Sequence, residues 1–452
     1  MLTLYQHQRA GADRLKERPR YYLAWGMGSG KTITTLTAID ADPIKTLVVC
    51  PLSVMRAAWL RDSEHFPRLR MQMIRATGKA KRLVQINGDW DVAVVNHDLL
   101  RTHWQDFANA GVRRLVIDEA SKCKSHKAAV TDAATKLADR CSSVWLLSGT
   151  PAPNCPSEYI PQMRIVSPQA FGSSYWGAIN RYFTPVKRTL RDGRQIVERY
   201  TQSQQQAAAF QARLKDWCWS LRKEDCLDLP AKTDIVVDVE LGDEAEAYES
   251  ASEDFVMLLK SGERSPIKRE AALIKLRQIV GGSVIVEGVP RTLGASKLKA
   301  LSDLLDELGH DQPVVIWAEF RNEIQRIEAM IRDRGETVDT IYGETSHRAG
   351  ETAAAFQAGW IKRLVCHPSS AGHGLTLTAA SYAVYYSLSF SLEQHEQSRD
   401  RIHRIGQSRP CTYVYLAAPD TVDRAMLGVL KKKRKAADEL AELLKVPAES
   451  LV

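Results

Sequence analysis

Apolar residues in this chain fall into short unbroken runs. TLVVC (Thr46 to Cys50), VAVVN (Val92 to Asn96), RLVID (Arg114 to Asp118) and VWLLS (Val144 to Ser148) each predict a strand buried on both faces. Helical or loop material with polar residues follows each run, which is the pattern of a doubly wound α/β domain. The final third repeats it more weakly, in PVVIWAEF (Pro313 to Phe320), RLVCHP (Arg363 to Pro368), YAVYYSLSF (Tyr382 to Phe390) and TYVYLAA (Thr412 to Ala418). Between about Cys155 and Ala295 such runs thin out and helix-prone polar segments dominate. A mainly helical middle is expected there, ending in a flexible stretch from Gly281-Gly282 to Gly294, with Gln204 to Gln206 as a polar helix face. From about Met426 the pattern predicts an amphipathic helix carrying KKKRK at Lys431 to Lys435. The expected divisions are 1–155, 156–295, 296–425 and 426–452.

Length agrees with this division, since 452 residues suggest roughly three units at about 150 residues each. Hydrophobic content of 44% and charged content of 26% are those of an ordinary globular protein. The net charge of +8 gives a mild bias toward polyanionic partners. Eight cysteines are scattered without a CxxC pair, which argues against a zinc module or a disulfide framework and fits reduced thiols. The N-terminus lacks a basic-then-apolar signal pattern, and no run reaches about 18 apolar residues. A soluble cytoplasmic protein is expected.

Candidate chemistry begins at AWGMGSGKT, Ala24 to Thr32, between an apolar entry (Tyr21 to Ala24) and a helix-like continuation. Glycines at Gly26, Gly28 and Gly30 let backbone amides approach phosphates, Lys31 reaches the terminal phosphates, and Thr32 holds magnesium. A strict Walker loop has glycine where Trp25 stands. VIDEAS, Val116 to Ser121, ends a predicted strand with two carboxylates: Asp118 for the magnesium, Glu119 to orient and deprotonate the attacking water. In LLSGTPAPN, Leu146 to Asn154, Ser148 and Thr150 are placed to sense the phosphate site. In QSRDRIHRIGQ, Gln397 to Gln407, Arg401 and Arg404 are three apart and would share one face of a helix. Composition alone makes that run a solvated basic helix; facing a γ-phosphate, the same arginines would neutralise transition-state charge. Trp217 and Trp219, and Tyr175 with Trp176, read as core aromatics. His373 and His403 read as structural or coupling residues, and KKKRK as either a phosphate grip or a solvated helix face.

Taken in order, these segments resemble the Swi/Snf family of helicase-like ATPases, a branch of helicase superfamily two. LYQHQRAG (Leu4 to Gly11) looks like the adenine-recognising Q motif, with Gln8 as its glutamine. AWGMGSGKT resembles motif I, with Trp25 and Gly26 in place of the family's usual acidic pair. VVCPLSVMRAAW (Val48 to Trp59) is similar to motif Ia and VVNHDLL (Val94 to Leu100) to motif Ib. DEAS stands where the family usually has DEAH, and SGTPAPN matches motif III. LRKEDCLDLP (Leu221 to Pro230) and LIKLRQIVGG (Leu273 to Gly282) resemble segments of the family's helical insertions. YGETSHR (Tyr342 to Arg348) and SSAGHGLTL (Ser369 to Leu377) look like motifs IVa and V, with Ala371 and Thr376 replacing a common glycine and asparagine. HRIGQ is the most family-specific piece.

The resemblance implies two RecA-like doubly wound parallel-sheet lobes with helical insertions between them. ATP and Mg2+ would be bound by Gln8, Gly28, Ser29, Gly30, Lys31, Thr32 and Asp118, with Glu119, Arg401 and Arg404 completing the catalytic set. Ser148, Thr150, Gly374 and Gln397 would couple the site to its surroundings, and Pro51, Ser53, Asn96, Arg348 and Thr376 would contact DNA. Phosphate contacts of that kind carry little sequence information. The expected activity is DNA-dependent ATP hydrolysis driving translocation on double-stranded or branched DNA by a monomer. The plain architecture resembles small phage and bacterial members, which would work in the bacterial cytoplasm. Two alternatives stand beside it: a strand-separating helicase, and a clamp that binds ATP and DNA without turnover.

Overall fold

Continuous apolar runs become strands because both faces of each sheet are covered. The computed structural model describes residues 3–189, 194–260, 266–371 and 374–444. It divides into two units, Met1–Leu227 with Lys433–Val452, and Asp228–Lys432. The chain therefore passes from one unit to the other twice, and the first unit is discontinuous in sequence. These boundaries differ from the expected divisions near residues 155 and 295, because short strands beyond 155 belong to each sheet.

In the first unit, helix α1 (Gln6–Glu17) precedes β1 (Arg20–Trp25), and α2 (Lys31–Ala41) follows it. The strands β2 (Thr46–Val49), β3 (Met71–Met73), β4 (Val92–Val95), β5 (Arg114–Asp118) and β6 (Ser143–Leu147) come next. A separate antiparallel hairpin pairs β7 (Thr184–Thr189) with β8 (Gln195–Thr201), and β9 (Cys218–Leu221) returns to the sheet. The sheet order is β3-β4-β2-β5-β6-β1-β9, every neighbour parallel. Tyr22 and Ala24 of β1 enter one apolar layer with Leu47, Val49, Leu115 and Ile117. Tyr21, Leu23 and Trp25 enter the opposite layer with Val48, Val94 and Val116. The edge of β9 is covered by the returning tail, where the Ser220 amide donates to the Leu444 carbonyl at 3.1 Å. An edge strand left open would be a template for foreign pairing.

The second unit holds β10 (Lys232–Asp238), the hairpin β11 (Ser283–Val286) and β12 (Val289–Thr292), then β13 (Val314–Trp317), β14 (Val338–Ile341), β15 (Arg363–Cys366), β16 (Tyr382–Tyr385) and β17 (Cys411–Ala417). Its sheet order is β10-β17-β16-β13-β15-β14, again wholly parallel. Both units are RecA-like doubly wound α/β lobes.

Several details depart from the expected pattern. The middle carries helices Gln204–Lys215, Ala245–Lys260 and Pro266–Val280, but also the strands β7 to β12. Four of those strands form hairpins outside the sheets and two lie at sheet edges, so none needs a long apolar run. Trp219 is core, whereas Trp176 is 52% exposed beside His126 and Tyr175. The final helix, Val422–Leu443, starts earlier than Met426. Among the described residues no helix is long and apolar enough to cross a membrane.

Gly281, Gly282 and Gly294 serve close approach. A Cβ on Gly281 would lie 2.1 Å from Glu323 Oε1, and one on Gly294 would lie 2.3 Å from the Glu244 carboxyl carbon. Glu323 is buried; its Oε2 accepts from Ser387 Oγ at 2.5 Å and from the Phe320 amide at 3.3 Å, while Oε1 has no partner. Burial pushes its carboxyl from 4.5 up to about 7, against the opposing Ser387 bond and the Lys297 charge. The folded unit therefore holds this proton more tightly than the unfolded chain does. The resulting stabilisation is full below the unfolded pKa and is lost as pH rises through about 7. We expect urea unfolding of the second unit to lose up to about 3 kcal/mol between about pH 4.5 and pH 8, and Glu323→Gln to flatten that dependence. An unchanged pH slope in the variant would remove Glu323 as its source.

Candidate functional site

Because β5, β6 and β1 are parallel neighbours, the loops leaving their C-terminal ends emerge side by side along one edge of the first sheet. That edge is where open α/β sheets place ligands. The loop after β1 turns through left-handed backbone at Gly28 (φ 78) and Gly30 (φ 84) before α2 begins. A Cβ on Gly30 would fall 2.1 Å from Gln8 Nε2, so only glycine lets α1 approach so closely. Gln8 Nε2 and His7 Nε2 donate to the Ser29 carbonyl at 3.2 and 2.9 Å, and Gln8 Oε1 accepts from the Tyr5 amide at 3.0 Å. Ser29 Oγ ties back to the Gly26 carbonyl at 2.8 Å. The Gly26 amide donates to the Leu221 carbonyl of β9 at 2.8 Å.

Lys31 opens α2, and its Nζ donates to the carbonyls of Trp25 at 2.9 Å and Gly26 at 3.1 Å. Burial lowers its pKa, and the nearby charges of Glu119 and Asp118 act against that shift. Asp118, 7% exposed at the end of β5, is pushed up by burial and held down by Lys31. Its Oδ2 accepts from Trp59 Nε1 at 3.0 Å and its Oδ1 from the Glu119 amide at 3.0 Å. Glu119 adopts left-handed backbone (φ 55, ψ 53), unusual for a residue with a side chain and frequent at functional sites. On the loop after β6, Ser148 is buried and its Oγ accepts from the Thr150 amide at 3.2 Å. Thr150 Oγ1 is buried without a partner. A Cβ on Gly149 would lie 2.7 Å from Met27 Cγ, so this loop touches the glycine loop directly.

This donor set fits a nucleoside triphosphate with magnesium. Left-handed glycines at a helix start, an ammonium and an unpartnered hydroxyl face the same edge as two carboxylates. Each Asp118 oxygen keeps a second lone pair beyond the bond it already accepts, and Thr32 follows Lys31 in the first turn of α2.

In the second unit, helix Leu392–Arg399 ends before the expected arginine pair. Arg401 and Arg404 lie in successive turns, not on one helical face, so the spacing argument is corrected. Their guanidinium groups nevertheless meet: both donate to the Leu375 carbonyl, at 3.1 and 3.0 Å. Arg401 Nε also donates to the Gln397 carbonyl at 2.9 Å, and Gln397 Nε2 is buried without a partner. The turn is pinned from several sides. Arg399 pairs with Asp234 of β10 and lies over the Tyr413 ring at 3.7 Å. His403 Nε2 donates to the Pro230 carbonyl at 2.8 Å, and Gln407 Nε2 lies 2.7 to 3.1 Å from the carbonyls of Thr378, Ala380 and Ile402. Gly374 has φ 81 and precedes Leu375. His373 lies outside the described residues.

Of the residues expected to touch DNA, Pro51 caps the helical segment after β2, and the side chain of Ser53 lies outside the described residues. Asn96 caps helix His97–Asn109 by accepting from the Leu99 amide at 3.0 Å. Arg348 is exposed on a single 3-10 turn, and Thr376 is partly exposed beside Leu375. Nothing in the sequence assigns a role to His7, Trp59 or Gln407. Their only signal was position, next to Gln8, within VVCPLSVMRAAW, and at the end of HRIGQ.

Residues 13–280 match the family model of the SNF2-related domain, and residues 296–406 match the helicase conserved C-terminal domain. The chain is 27% identical to "Putative protein p41" of Acyrthosiphon pisum secondary endosymbiont phage 1, over 93% of this chain and 94% of that protein. It is 29% identical to the Caenorhabditis elegans "SWI/SNF-related matrix-associated actin-dependent regulator of chromatin subfamily A-like protein 1 homolog", over 95% of this chain and 61% of that one. It is 26% identical to the mouse "DNA annealing helicase and endonuclease ZRANB3", over 93% of this chain and 39% of that one. The chain thus spans under two thirds of the two animal proteins.

Gly30→Ala should both strain the left-handed turn and drive a methyl into Gln8. We expect a loss of about 1–3 kcal/mol in stability of the first unit and at least about tenfold weaker binding of a fluorescent ATP analogue, roughly 1.4 kcal/mol. Adding Gln8→Ala should recover only part of this, since the backbone penalty remains. Thermal melting and nucleotide titration of both variants check the pair.

Proposed function

This chain belongs to the SNF2-related family of helicase-like, ATP-hydrolysing enzymes, and on that premise we propose that it is a DNA-dependent ATPase motor that translocates on double-stranded DNA, remodelling forks, junctions or protein–DNA complexes. The observation that carries this reading is the convergence of Lys31, Asp118 and Glu119 on one sheet edge, where both carboxylates act electrostatically on the Lys31 amine. A clamp without turnover has no use for Glu119 in that position. The names of the nematode and mouse relatives, one chromatin-related and one an annealing helicase, support DNA as the track.

In this reading Lys31 exchanges the Trp25 and Gly26 carbonyls for the terminal phosphates, and loop amides from Gly28 to Gly30 approach the phosphate oxygens. Thr32 and Asp118 hold magnesium, which when bound screens the phosphate charge. Glu119 orients the attacking water and accepts its proton as the water oxygen bonds to the γ-phosphorus and the bond from that phosphorus to the β–γ bridging oxygen of the departing nucleoside diphosphate breaks. Arg401 and Arg404 leave the Leu375 carbonyl to neutralise the charge that develops on the transferring phosphoryl group. Ser148, Thr150, Gly374 and Gln397 relay the state of the nucleotide, and Pro51, Ser53, Asn96, Arg348 and Thr376 bear on the DNA backbone.

We expect Glu119→Gln to bind ATP yet turn over about 10² to 10⁴ times more slowly; near-normal steady-state turnover would remove it as the base. Arg404→Ala should keep DNA binding and lose roughly 10³-fold or more of DNA-stimulated turnover. The decisive comparison is ATPase stimulation by single-stranded, double-stranded and forked DNA and by RNA. Stimulation by duplex or forked DNA is expected. No stimulation by any of them would end the motor reading, and a response to single strands alone would favour the helicase.

A further inference from the structure

Trp59 sits where the segment after β2 departs from ordinary helix. Leu52–Val54 and Arg61–Ser63 are α-helical, but Met55–Leu60 between them is a π-helix. Such turns are rare and frequently mark functional sites. The wider turn stacks residues four apart nearly above one another. Met55 and Trp59 accordingly face the sheet fully buried, while Leu52 is 58% exposed. Trp59 packs in the apolar layer with Val48, Cys50, Val94, Val116, Phe66 and Leu69. From there its indole N–H reaches Asp118 Oδ2 at 3.0 Å.

Burial does not explain that bond. Among the described residues, the buried indoles of Trp90 and Trp145 donate to backbone carbonyls. Those of Trp25, Trp217, Trp219 and Trp317 have no acceptor at all. A tryptophan in this chain therefore needs no carboxylate in order to be buried, and Trp59 differs from the others in spending its N–H on one. Asp118 is thus held at two points of different character. Oδ1 is fixed by the amide of its own neighbour Glu119, in the strand-end turn. Oδ2 is fixed by a side chain from another segment.

We propose that Trp59 is a positioning residue that sets the orientation of the Asp118 carboxylate, and that it carries displacement of the Pro51–Ser63 segment to that carboxylate. The regulatory half of this proposal rests on the reading above, in which Pro51 and Ser53 bear on DNA. When the segment is held, the indole N–H keeps Oδ2 in place. When it shifts, the carboxylate turns about its Cβ–Cγ bond, and hydrolysis slows without loss of nucleotide.

The test uses the full chain in two altered forms. Trp59→Phe removes the donor together with part of the ring system. Replacement of Trp59 by β-(3-benzothienyl)alanine keeps the bicycle and exchanges only the N–H for sulfur, so packing and folding are preserved. ATP KM, duplex affinity and kcat at saturating duplex are measured for both and for the unaltered chain. A hydrogen bond to a charged group of this kind leads us to expect a fall in kcat of about 10- to 100-fold, with ATP KM and duplex affinity within about threefold. A normal kcat in the benzothienyl form, whatever Trp59→Phe does, would overturn the proposal by assigning Trp59 to packing alone. A raised ATP KM at constant kcat would overturn it as well. If the unaltered chain responds to no DNA, the motor reading fails by itself. The kcat and KM split measured without DNA then still decides whether Trp59 positions Asp118.

Discussion

The loop edge of the first unit's sheet is arranged around the partly buried Lys31. Burial lowers the pKa of Lys31, two carboxylates act against that shift, and two carbonyls accept from its ammonium. Burial pushes the Asp118 carboxyl up, while Lys31, the Trp59 indole and the Glu119 amide pull it back down. Each group in this set is stabilised by another, and the set is drawn from three segments: the start of α2, the turn after β5 and the helical segment after β2. Losing one partner would strand a buried charge, which costs far more than the bond itself contributes. The apolar layers on both faces of the sheet fix the loop positions closely enough for such mutual dependence to work.

The second unit solves a different problem, which is to hold two arginines together on a turn. No helix presents Arg401 and Arg404; a shared acceptor, the Leu375 carbonyl, gathers them. The surrounding side chains act on backbone carbonyls far away in sequence. His403 binds Pro230, and Gln407 binds the stretch from Thr378 to Ala380. The HRIGQ segment thus combines charge-bearing and frame-building residues in alternation, and its spacing reflects turn geometry.

Much of the fold was legible because burial on both faces of a parallel sheet forces unbroken apolar runs. Runs such as VAVVN and RLVID could hardly be anything else. The strands of the middle region were not legible, since β10 is an edge strand and the two hairpins lie outside the sheets. The glycine loop, Asp118 and Glu119 were legible as neighbours because each stands at the C-terminal end of a strand in one parallel sheet. Arg401 and Arg404 were placed correctly as neighbours for the wrong geometric reason. Trp59 had no signal beyond its place in VVCPLSVMRAAW, since an indole in an apolar segment looks identical whether its N–H meets a carboxylate or nothing. The discontinuity of the first unit was equally hidden, because nothing local marks Leu444 as the partner of Ser220.

That last pairing has a bearing on how the chain is made. Ser220 and Leu444 are separated by the whole of the second unit, Asp228 to Lys432. At a ribosomal pace of about 5–20 residues per second, those intervening residues take roughly 10 to 40 s to emerge. Throughout that interval the Ser220 amide lacks its Leu444 acceptor. The sheet that carries the phosphate loop is therefore among the first structures to form during synthesis and among the last to be sealed.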